Sequence, residues 1–400
     1  MENENKMKTS GLFLLWAGAA ISLAEIMTGS LIGPLGLGKG IAVIIIGHVI
    51  GCLILAATGL IGYQKKTSAL QSSRFAFGRF GSYLISILNI VQLIGWTSVM
   101  LIQCSSSVSA IFDQKSSSVF ILTVIGLGIL VAVWVLFASK GFQHINNIAV
   151  ILLVALSLVI LIMMIHNHQG ALTKVAGPLS FGAALEFSIA MPLSWLPLIS
   201  DYTMNAKSGK GAFWGSLIGY FAGSAFMYFI GLAASLFTNA ADFTGVLVQL
   251  GVGVVGLVVV VLATVTTTYL DVYSAAMSVL NIAPKLSKQL LIILVSGVGT
   301  VVAIFFPMDH YQTFLYAIDS VFAPVFAVVL TDYFLLKGDH SHSVLNWRAL
   351  VSAAVGTAVY YVFIQLDFPI GSTIPSMIIA FVLYLVLHAL FERKPKALTE

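Results

Sequence analysis

The sequence predicts an all-helical membrane protein of twelve transmembrane helices in a single domain. Three observations predict it. Of the 400 residues, 59% are hydrophobic and only 8% are charged, whereas roughly a quarter of a soluble domain is charged. Apolar runs of about 20 residues, the length of a bilayer crossing, recur along the whole chain. No connection between them is long enough to fold separately, so residues 1–400 read as one polytopic unit. Without water in the bilayer core, each run must satisfy its own backbone as a helix.

The runs fall at 11–35, 40–63, 82–111, 118–139, 145–166, 181–202, 212–238, 248–280, 289–306, 311–336, 347–365 and 369–391. Those at 82–111 and 248–280 are long enough to tilt or to extend beyond the lipid. The first run is too long for a cleavable leader and lacks a small-residue cleavage site. With the N-terminus inside and the sides alternating, 16 of the 19 basic residues lie on inner segments, and only Lys39, Lys115 and Lys174 lie outside. The positive-inside rule then puts both termini in the cytoplasm of a cell or inner membrane, and the imbalance supports an even number of helices. The net charge of +4 is spread over short loops and implies no nucleic acid partner. Cys52 and Cys104 lie inside apolar runs and form neither a disulfide framework nor a metal spacing.

Two glycine motifs stand in the wrong context for nucleotide binding. GPLGLGKG at 33–40 lacks the Ser or Thr that would hold magnesium and lies between two helices, as a tight turn would. GVGVVG at 251–256 is flanked by continuous helix rather than by a strand and a turn. Gly211, Gly215, Gly219 and Gly223 recur every fourth residue and predict a smooth groove for helix packing on the seventh helix.

Polar residues at membrane depth are costly and mark function by default. On the first helix Ser22, Glu25 and Thr28 share a face, and Gly18, Gly29 and Gly33 make the helix easy to interrupt. On the sixth, MPLSWLPLISDY at 191–202 carries Pro192 and Pro197 around Ser194 and Trp195. The prolines remove the bonds to residues 188 and 193, so unpaired carbonyls are expected around 188–193, tolerated only where they line a cavity. Asp201 falls at the inner end of this helix, outside the site. On the third helix Asn89, Gln92, Trp96, Gln103 and Ser107 form a stripe, and on the eighth Thr264, Thr267, Asp271, Ser274 and Ser278 form another. Hydroxyls alone serve as interhelical glue as readily as function; a carboxylate is not needed for glue. His48, near helix-packing glycines, is read as structural, and both it and Asp319 are left out of the site.

The polar helices are the first, third, sixth and eighth. This offset of five is expected of a five-plus-five inverted repeat with interrupted first helices and a midplane binding site. The repeats would cover about 11–166 and 181–336, with 347–391 added outside them.

In order and spacing, SSRFAFGRFGS at 72–82, IGW at 94–96, SDYT at 200–203, ATVTT at 263–267, VYSA at 272–275 and AP…LTDYF at 323–334 resemble the nucleobase:cation symporters, which include cytosine, purine, allantoin and hydantoin permeases. The resemblance spans nearly the whole chain. WAGAAISLAEIMTGSLIGPLGL at 16–37 is most similar to the branch proposed to carry the hydroxymethylpyrimidine precursor of thiamine. The resemblance implies a LeuT-like fold and uptake of one cation with one substrate. It implies a sodium site at Ala263, Thr266 and Thr267 with carbonyls of Ala20 and Leu23, and stacking aromatics at Trp96 and Trp195. The chain departs from the family at Asp271, where a related permease has Asn, and at Met100, one turn after Trp96. A carboxyl group matches the edge of an aminopyrimidine with two parallel hydrogen bonds, and either Glu25 or Asp271 could supply it.

The expected function is therefore import of a pyrimidine-type heterocycle, hydroxymethylpyrimidine foremost, by cation symport with alternating access. The alternative is a cytosine or other nucleobase permease, proton-coupled through Glu25 or Asp271. Substrate-binding candidates are Glu25, Gln92, Trp96, Ser194, Trp195 and Asp271. No resident cofactor is expected, only co-transported sodium or a proton. No obligate protein partner is expected. A channel would want an open pore, and an enzyme would want a metal or triad spacing that the sequence lacks.

Overall fold

The structure is a computed structural model of the chain. It describes residues 6–112, 117–137, 142–167, 172, 175, 177–238 and 253–391. The loop lysines Lys115, Lys140 and Lys174, the tail residues Arg393, Lys394 and Lys396, and the first two residues of GVGVVG lie outside these ranges.

Fourteen α-helices follow one another among the described residues: α1 Thr9–Ala20, α2 Leu23–Ser30, α3 Gly36–Lys65, α4 Ala69–Ile111, α5 Ser117–Phe137, α6 Phe142–Asn167, α7 Phe181–Ser194, α8 Ile199–Thr203, α9 Gly209–Phe237, α10 Gly253–Ile282, α11 Lys288–Phe305, α12 Tyr311–Leu330, α13 Trp347–Gln365 and α14 Thr373–Phe391. Ten helical stretches are long and apolar enough to cross a membrane, and two shorter apolar helices, α1 and α7, stand where the first and sixth crossings were predicted. These two are the halves of interrupted helices, continued by α2 and α8. GPLGLGKG is a short 3-10 turn that runs into α3, so no phosphate loop forms.

The glycine groove of α9 is filled by α1. A Cβ added at Gly215, Gly219 or Gly223 would come within 2.8, 2.5 and 2.7 Å of the backbone oxygens of Thr9, Phe13 and Ala17. Farther along α9, a Cβ at Gly231 would reach 1.9 Å from the Ile26 carbonyl of α2. One straight helix thus grips both halves of the broken one at backbone distance. In lipid, where burial between helices gains little, such close approach supplies the packing energy.

α4 is 43 residues long and bends at Gly78, whose φ of +74° is left-handed. Such a φ suits glycine because it has no Cβ. The backbone groups exposed by the bend are taken up by the loop before α13: Arg79 and Phe80 donate N–H to Ser343 and Val344, each at 3.0 Å. The SSRFAFGRFGS stretch is therefore a helix, a kink and a second helix, and the third crossing begins earlier than residue 82.

The polar stripes of α4 and α10 face each other and divide in two. At one end Asn89 donates to the Ser278 hydroxyl at 2.8 Å, and Asn281 to Ser86 at 2.9 Å. These contacts are glue of the kind expected for short polar side chains in a membrane. At the other end Trp96 and Asp271 turn to a cavity.

Candidate functional site

The first interruption lies at Ile21 and Ser22. Ser22 is extended, with φ −143° and ψ 163°, and its Oγ caps α2 by accepting the Glu25 N–H at 3.4 Å. No glycine stands at the break, so the ease of interruption assigned to Gly18, Gly29 and Gly33 is misplaced. The Ser-x-x-Glu spacing at 22–25 is the sequence signal of a helix start.

The second interruption lies later than the prolines suggest. α7 runs through Pro192 to Ser194, and the break spans Trp195–Leu198. Pro192 costs one bond but is carried by the packing around it; Pro197 is the residue that stops the helix. The carbonyls released there find other donors. Trp195 N–H donates to Pro192, and Leu196 N–H to Leu193 at 3.0 Å. The Ser194 carbonyl accepts the Gln92 amide at 2.9 Å.

Between the two breaks is a cavity walled by Ser22, Glu25, Trp96, Met100, Ser194, Trp195 and Asp271, with Ala19, Leu93 and Met191 completing it. Five of the six predicted substrate residues meet here, from α2, α4, α7, the α7–α8 break and α10. The sixth, Gln92, does not line the space; it sits behind it, donating to Asn89 and to the Ser194 carbonyl. The walls leave about 10 Å³ for the centre of a water-sized sphere, room for about one water. A heterocycle enters only if the walls part.

Trp96 and Trp195 make no ring contact with one another. Each is braced edge-on from behind, Trp96 by Phe314 at 5.3 Å and Trp195 by Trp16 at 5.7 Å between ring centroids. Trp16 is braced in turn by Tyr202 at 5.7 Å. The aromatic wall therefore continues from the cavity to α8, the second half of the interrupted sixth helix.

The two carboxylates in the cavity differ in their partners. Glu25 is saturated: Tyr220 donates to Oε1 at 2.8 Å and Ser224 lies 2.6 Å from Oε2. Tyr220 also accepts the Trp195 indole N–H at 2.9 Å. Asp271 is buried, and its Oδ2 has no hydrogen-bond partner. A buried acceptor without a donor is costly, and Asp271 lines the cavity.

Of the residues named for sodium, Ala20 and Leu23 flank the first break, and Ala263, Thr266 and Thr267 lie on α10. The Ala20 carbonyl accepts the Ser22 N–H at 3.0 Å. Thr266 donates its hydroxyl to the Leu262 and Ala263 carbonyls at 2.9 and 3.0 Å, which leaves its lone pairs available to a cation. Thr267 is buried on the same helix.

Asp201 accepts the Ala69 N–H at 2.9 Å and so caps the start of α4, away from the cavity. The sequence reading passed over Tyr220, Ser224 and Glu186, and set His48 aside. His48 hydrogen-bonds Ser224 and the Ile44 carbonyl. Glu186 on α7 accepts the backbone N–H groups of Ser372 and Thr373 and the hydroxyls of Thr373 and Tyr360; it fastens the sixth crossing to the start of α14. The signal for Glu186 was present: an acid inside a spanning helix wants a named partner.

The whole chain also compares with known proteins. The family described as permease for cytosine/purines, uracil, thiamine, allantoin matches residues 1–387. The chain belongs to this family. The cytosine permease of Escherichia coli (strain K12) is 26% identical over 402 residues, covering 96% of this chain and 92% of the relative. The putative purine-cytosine permease YxlA of Bacillus subtilis (strain 168) is 25% identical, covering 92% and 87%. Among solved structures, Mhp1, a nucleobase-cation-symport-1 family transporter in a closed conformation with bromovinylhydantoin bound, superposes with a TM-score of 0.79 at 17% identity, covering 99% and 96%. The permease thus shares the all-helical LeuT-like fold, and its relatives are transporters rather than enzymes.

Proposed function

We propose that this permease imports a pyrimidine-type heterocycle by cation symport with alternating access, and that the substrate is an aminopyrimidine, hydroxymethylpyrimidine foremost. The observation that carries the proposal is the Asp271 carboxylate, buried and with an unpartnered oxygen, facing a cavity that two indoles also wall. An aminopyrimidine offers that carboxylate a ring nitrogen, protonated or sharing a proton, beside an exocyclic amine. Two parallel charge-assisted hydrogen bonds form, while the flat ring packs against Trp96 and Trp195. Uracil and hydantoin present a ring N–H beside a carbonyl in place of the amine, so such an edge offers the carboxylate one donor and sets an acceptor against its other oxygen. Glu25 is the weaker candidate for this contact, because Tyr220 and Ser224 already occupy its oxygens.

The preference for hydroxymethylpyrimidine over cytosine, which shares the amine edge, rests on the likeness of residues 16–37 to the branch proposed to carry it. Sodium is the proposed co-substrate, held by the Ala20, Leu23 and Ala263 carbonyls and the Thr266 and Thr267 hydroxyls. Broken helices expose carbonyls suited to a small cation, and all five oxygens are neutral, so one positive charge is not over-compensated. Both termini are proposed to be cytoplasmic, and the twelve crossings to form two inverted repeats with two further helices.

The test is thermal stability of the purified permease with hydroxymethylpyrimidine, cytosine, uracil, hypoxanthine or hydantoin, each with sodium or choline. A ligand that binds the native state raises the melting temperature. Hydroxymethylpyrimidine is expected to give the largest rise, and sodium to enlarge it. A larger rise with uracil or hydantoin overturns the aminopyrimidine reading, and equal rises in sodium and choline overturn the sodium site.

A further inference from the structure

Away from the substrate cavity, the flank of the bundle carries a much larger hollow. α3, the end of α12 and α14 line a groove of about 350 Å³. Its bulky residues include Phe334 and Leu335, just past α12, and Ile378 and Phe381 of α14; its small ones are Ala57 of α3 and Ala327 of α12. Thr331, the polar residue in the lining, donates its hydroxyl to the Ala327 carbonyl at 2.7 Å and so offers no free donor. Leu335 and Ile378 are more than half exposed. The groove therefore opens sideways out of the bundle, which in a membrane is toward lipid.

One end of the groove is basic. The π-helical turn Thr331–Leu336 that continues α12 stops at Lys337, whose φ of +53° turns the chain out of the helix. α3 ends beside it. Tyr333 donates its hydroxyl to Gln64 Oε1 at 2.6 Å. The Lys65 ammonium stands 5.6 Å from the Tyr333 ring centre and 4.8 Å from that of Phe75. Leu335 lies two residues before Lys337, and Ala57 about two helical turns before Lys65, so both lysines belong to the same end. Ring faces hold an ammonium in place but bring no countercharge. Among the described residues no carboxylate pairs with Lys65 or Lys337. Asp339 acts on Lys65 only at longer range, and its Oδ1 accepts the Ser341 N–H at 3.0 Å. An apolar slot thus leads to two unpaired positive charges.

We propose that this groove binds one anionic glycerophospholipid, with an acyl chain in the slot and the phosphate at Lys65 and Lys337. The shape argues against the other occupant a membrane offers, a helix. Helices meet in lipid through small residues that let their backbones touch, as α9 and α1 do at Gly215, Gly219 and Gly223. Here Phe334, Leu335, Ile378 and Phe381 hold a helix off, yet leave room for a chain one methylene wide. Apolar contact alone gives no preference, because bulk lipid is as apolar as the slot. The preference comes from the headgroup. Basic pockets between helices on the cytoplasmic side select anionic headgroups, and in the proposed topology this end is cytoplasmic. A phosphate takes charge-assisted hydrogen bonds from both ammonium groups, whereas a choline headgroup brings its own cation to the same place. The bound lipid ties α14 to α3 and to the end of α12. None of these residues lines the substrate cavity, so the lipid site and the import reading fail separately.

Native mass spectrometry of the purified full-length permease tests the site. Phosphatidylglycerol and phosphatidylcholine with the same acyl chains are titrated in separately, without any substrate. The expected result is one tightly held phosphatidylglycerol per chain, at concentrations where phosphatidylcholine is not retained, and a melting temperature that rises with phosphatidylglycerol. Lys65→Gln combined with Lys337→Gln changes only exposed side chains. It is expected to weaken phosphatidylglycerol binding roughly thirty-fold, two surface charges' worth, and to leave phosphatidylcholine as it was. Ala57→Leu fills the slot from α3 and is expected to abolish the tight site for phosphatidylglycerol. Should Ala57→Leu fail to fold, Ile378→Trp fills the slot from its exposed rim and carries the same expectation. Equal retention of the two lipids overturns the proposal, as does phosphatidylglycerol binding that survives the double lysine variant or both slot-filling variants. A dimer of the wild type that Ile378→Trp breaks assigns the groove to a second copy of the chain and overturns it as well.

Discussion

The amide of Gln92 donates to the carbonyl of Ser194 at 2.9 Å, so the third crossing holds the break in the sixth. Gln92 gives its other amide hydrogen to Asn89 and stays out of the cavity. Its contribution to substrate binding is to fix the backbone on which Ser194 and Trp195 sit. Replacing it by leucine leaves a buried carbonyl without a donor, a loss of about 1–3 kcal/mol. Gln92→Leu is expected to remain folded and to bind hydroxymethylpyrimidine about ten-fold more weakly by tryptophan fluorescence titration. Unchanged affinity would show that the break is held by its own turn.

Asp271 gives the sharpest functional prediction. Asp271→Asn keeps the size of the side chain but replaces a double acceptor by one acceptor and one donor. Hydrogen bonds to a charged group are worth about 1.5–3 kcal/mol, so affinity for aminopyrimidines is expected to fall roughly ten- to a hundred-fold. Affinity for uracil, which can use the new amide donor, is expected to rise. Competition binding with both ligands on the same protein reads the change; parallel loss for both would assign Asp271 a purely structural part.

The α1–α9 interface predicts stability rather than specificity. At Gly219 a Cβ would stand 2.5 Å from the Phe13 carbonyl, and backbone cannot rotate out of the way as a side chain does. Gly219→Val is expected to cost about 3 kcal/mol, the upper end for overpacking. It should appear as a lower melting temperature and a poorer yield of monodisperse protein. Gly126 has open space around it, and Gly126→Ala is the control expected to melt like the wild type.

Asp201 acts at a distance from the cavity. Its Oδ1 holds the first amide of α4, and Ser274 approaches its Oδ2 at 3.5 Å. Asp201→Ala removes the cap, a loss of about 1 kcal/mol, and is expected to raise hydrogen exchange around residues 69–72 while leaving substrate affinity in sodium near the wild-type value. Protection unaffected by the substitution would mean that Ser68 or water caps the helix instead.

Much of the architecture could be read from the chain because its signals are local. Twenty-residue apolar runs, glycines every fourth position on α9 and two prolines around Trp195 each act within one helix. The broken first and sixth crossings follow from such signals, although both breaks were misjudged in detail. In the first, Ser22 and Glu25 carry a helix-start signature that was read only as a polar face. In the second, the missing N–H of Pro192 was counted as a break, yet packing carries the helix on to Ser194. The cavity was legible where a residue type is expensive enough to need a reason, as with Glu25, Asp271 and the two indoles. Gln92 was assigned to substrate because an amide suits a ring edge; that it faces a carbonyl 102 residues away has no local signature. His48, Ser224 and Tyr220 escaped for the same reason: each is an ordinary helix residue, and its meaning arises only where α3 and α9 meet α2.

The N-terminal segment carries a consequence for how the molecule could be handled. Met7 exchanges two backbone hydrogen bonds with the chain just beyond α8, accepting from Lys207 and donating to Asn205, each at 2.8 Å. A few residues farther on, Trp16 packs against Trp195 and Tyr202. The segment before α1 is thus stitched to the chain just after the second half of the sixth crossing by a single rung of β-bridge. Main-chain pairing of this kind can be copied by any extended strand, so a short peptide or antibody loop that adds itself alongside Met7 would act as a clasp. Selection for binders of that edge offers a route to a permease locked shut at one mouth, with its other mouth left to open.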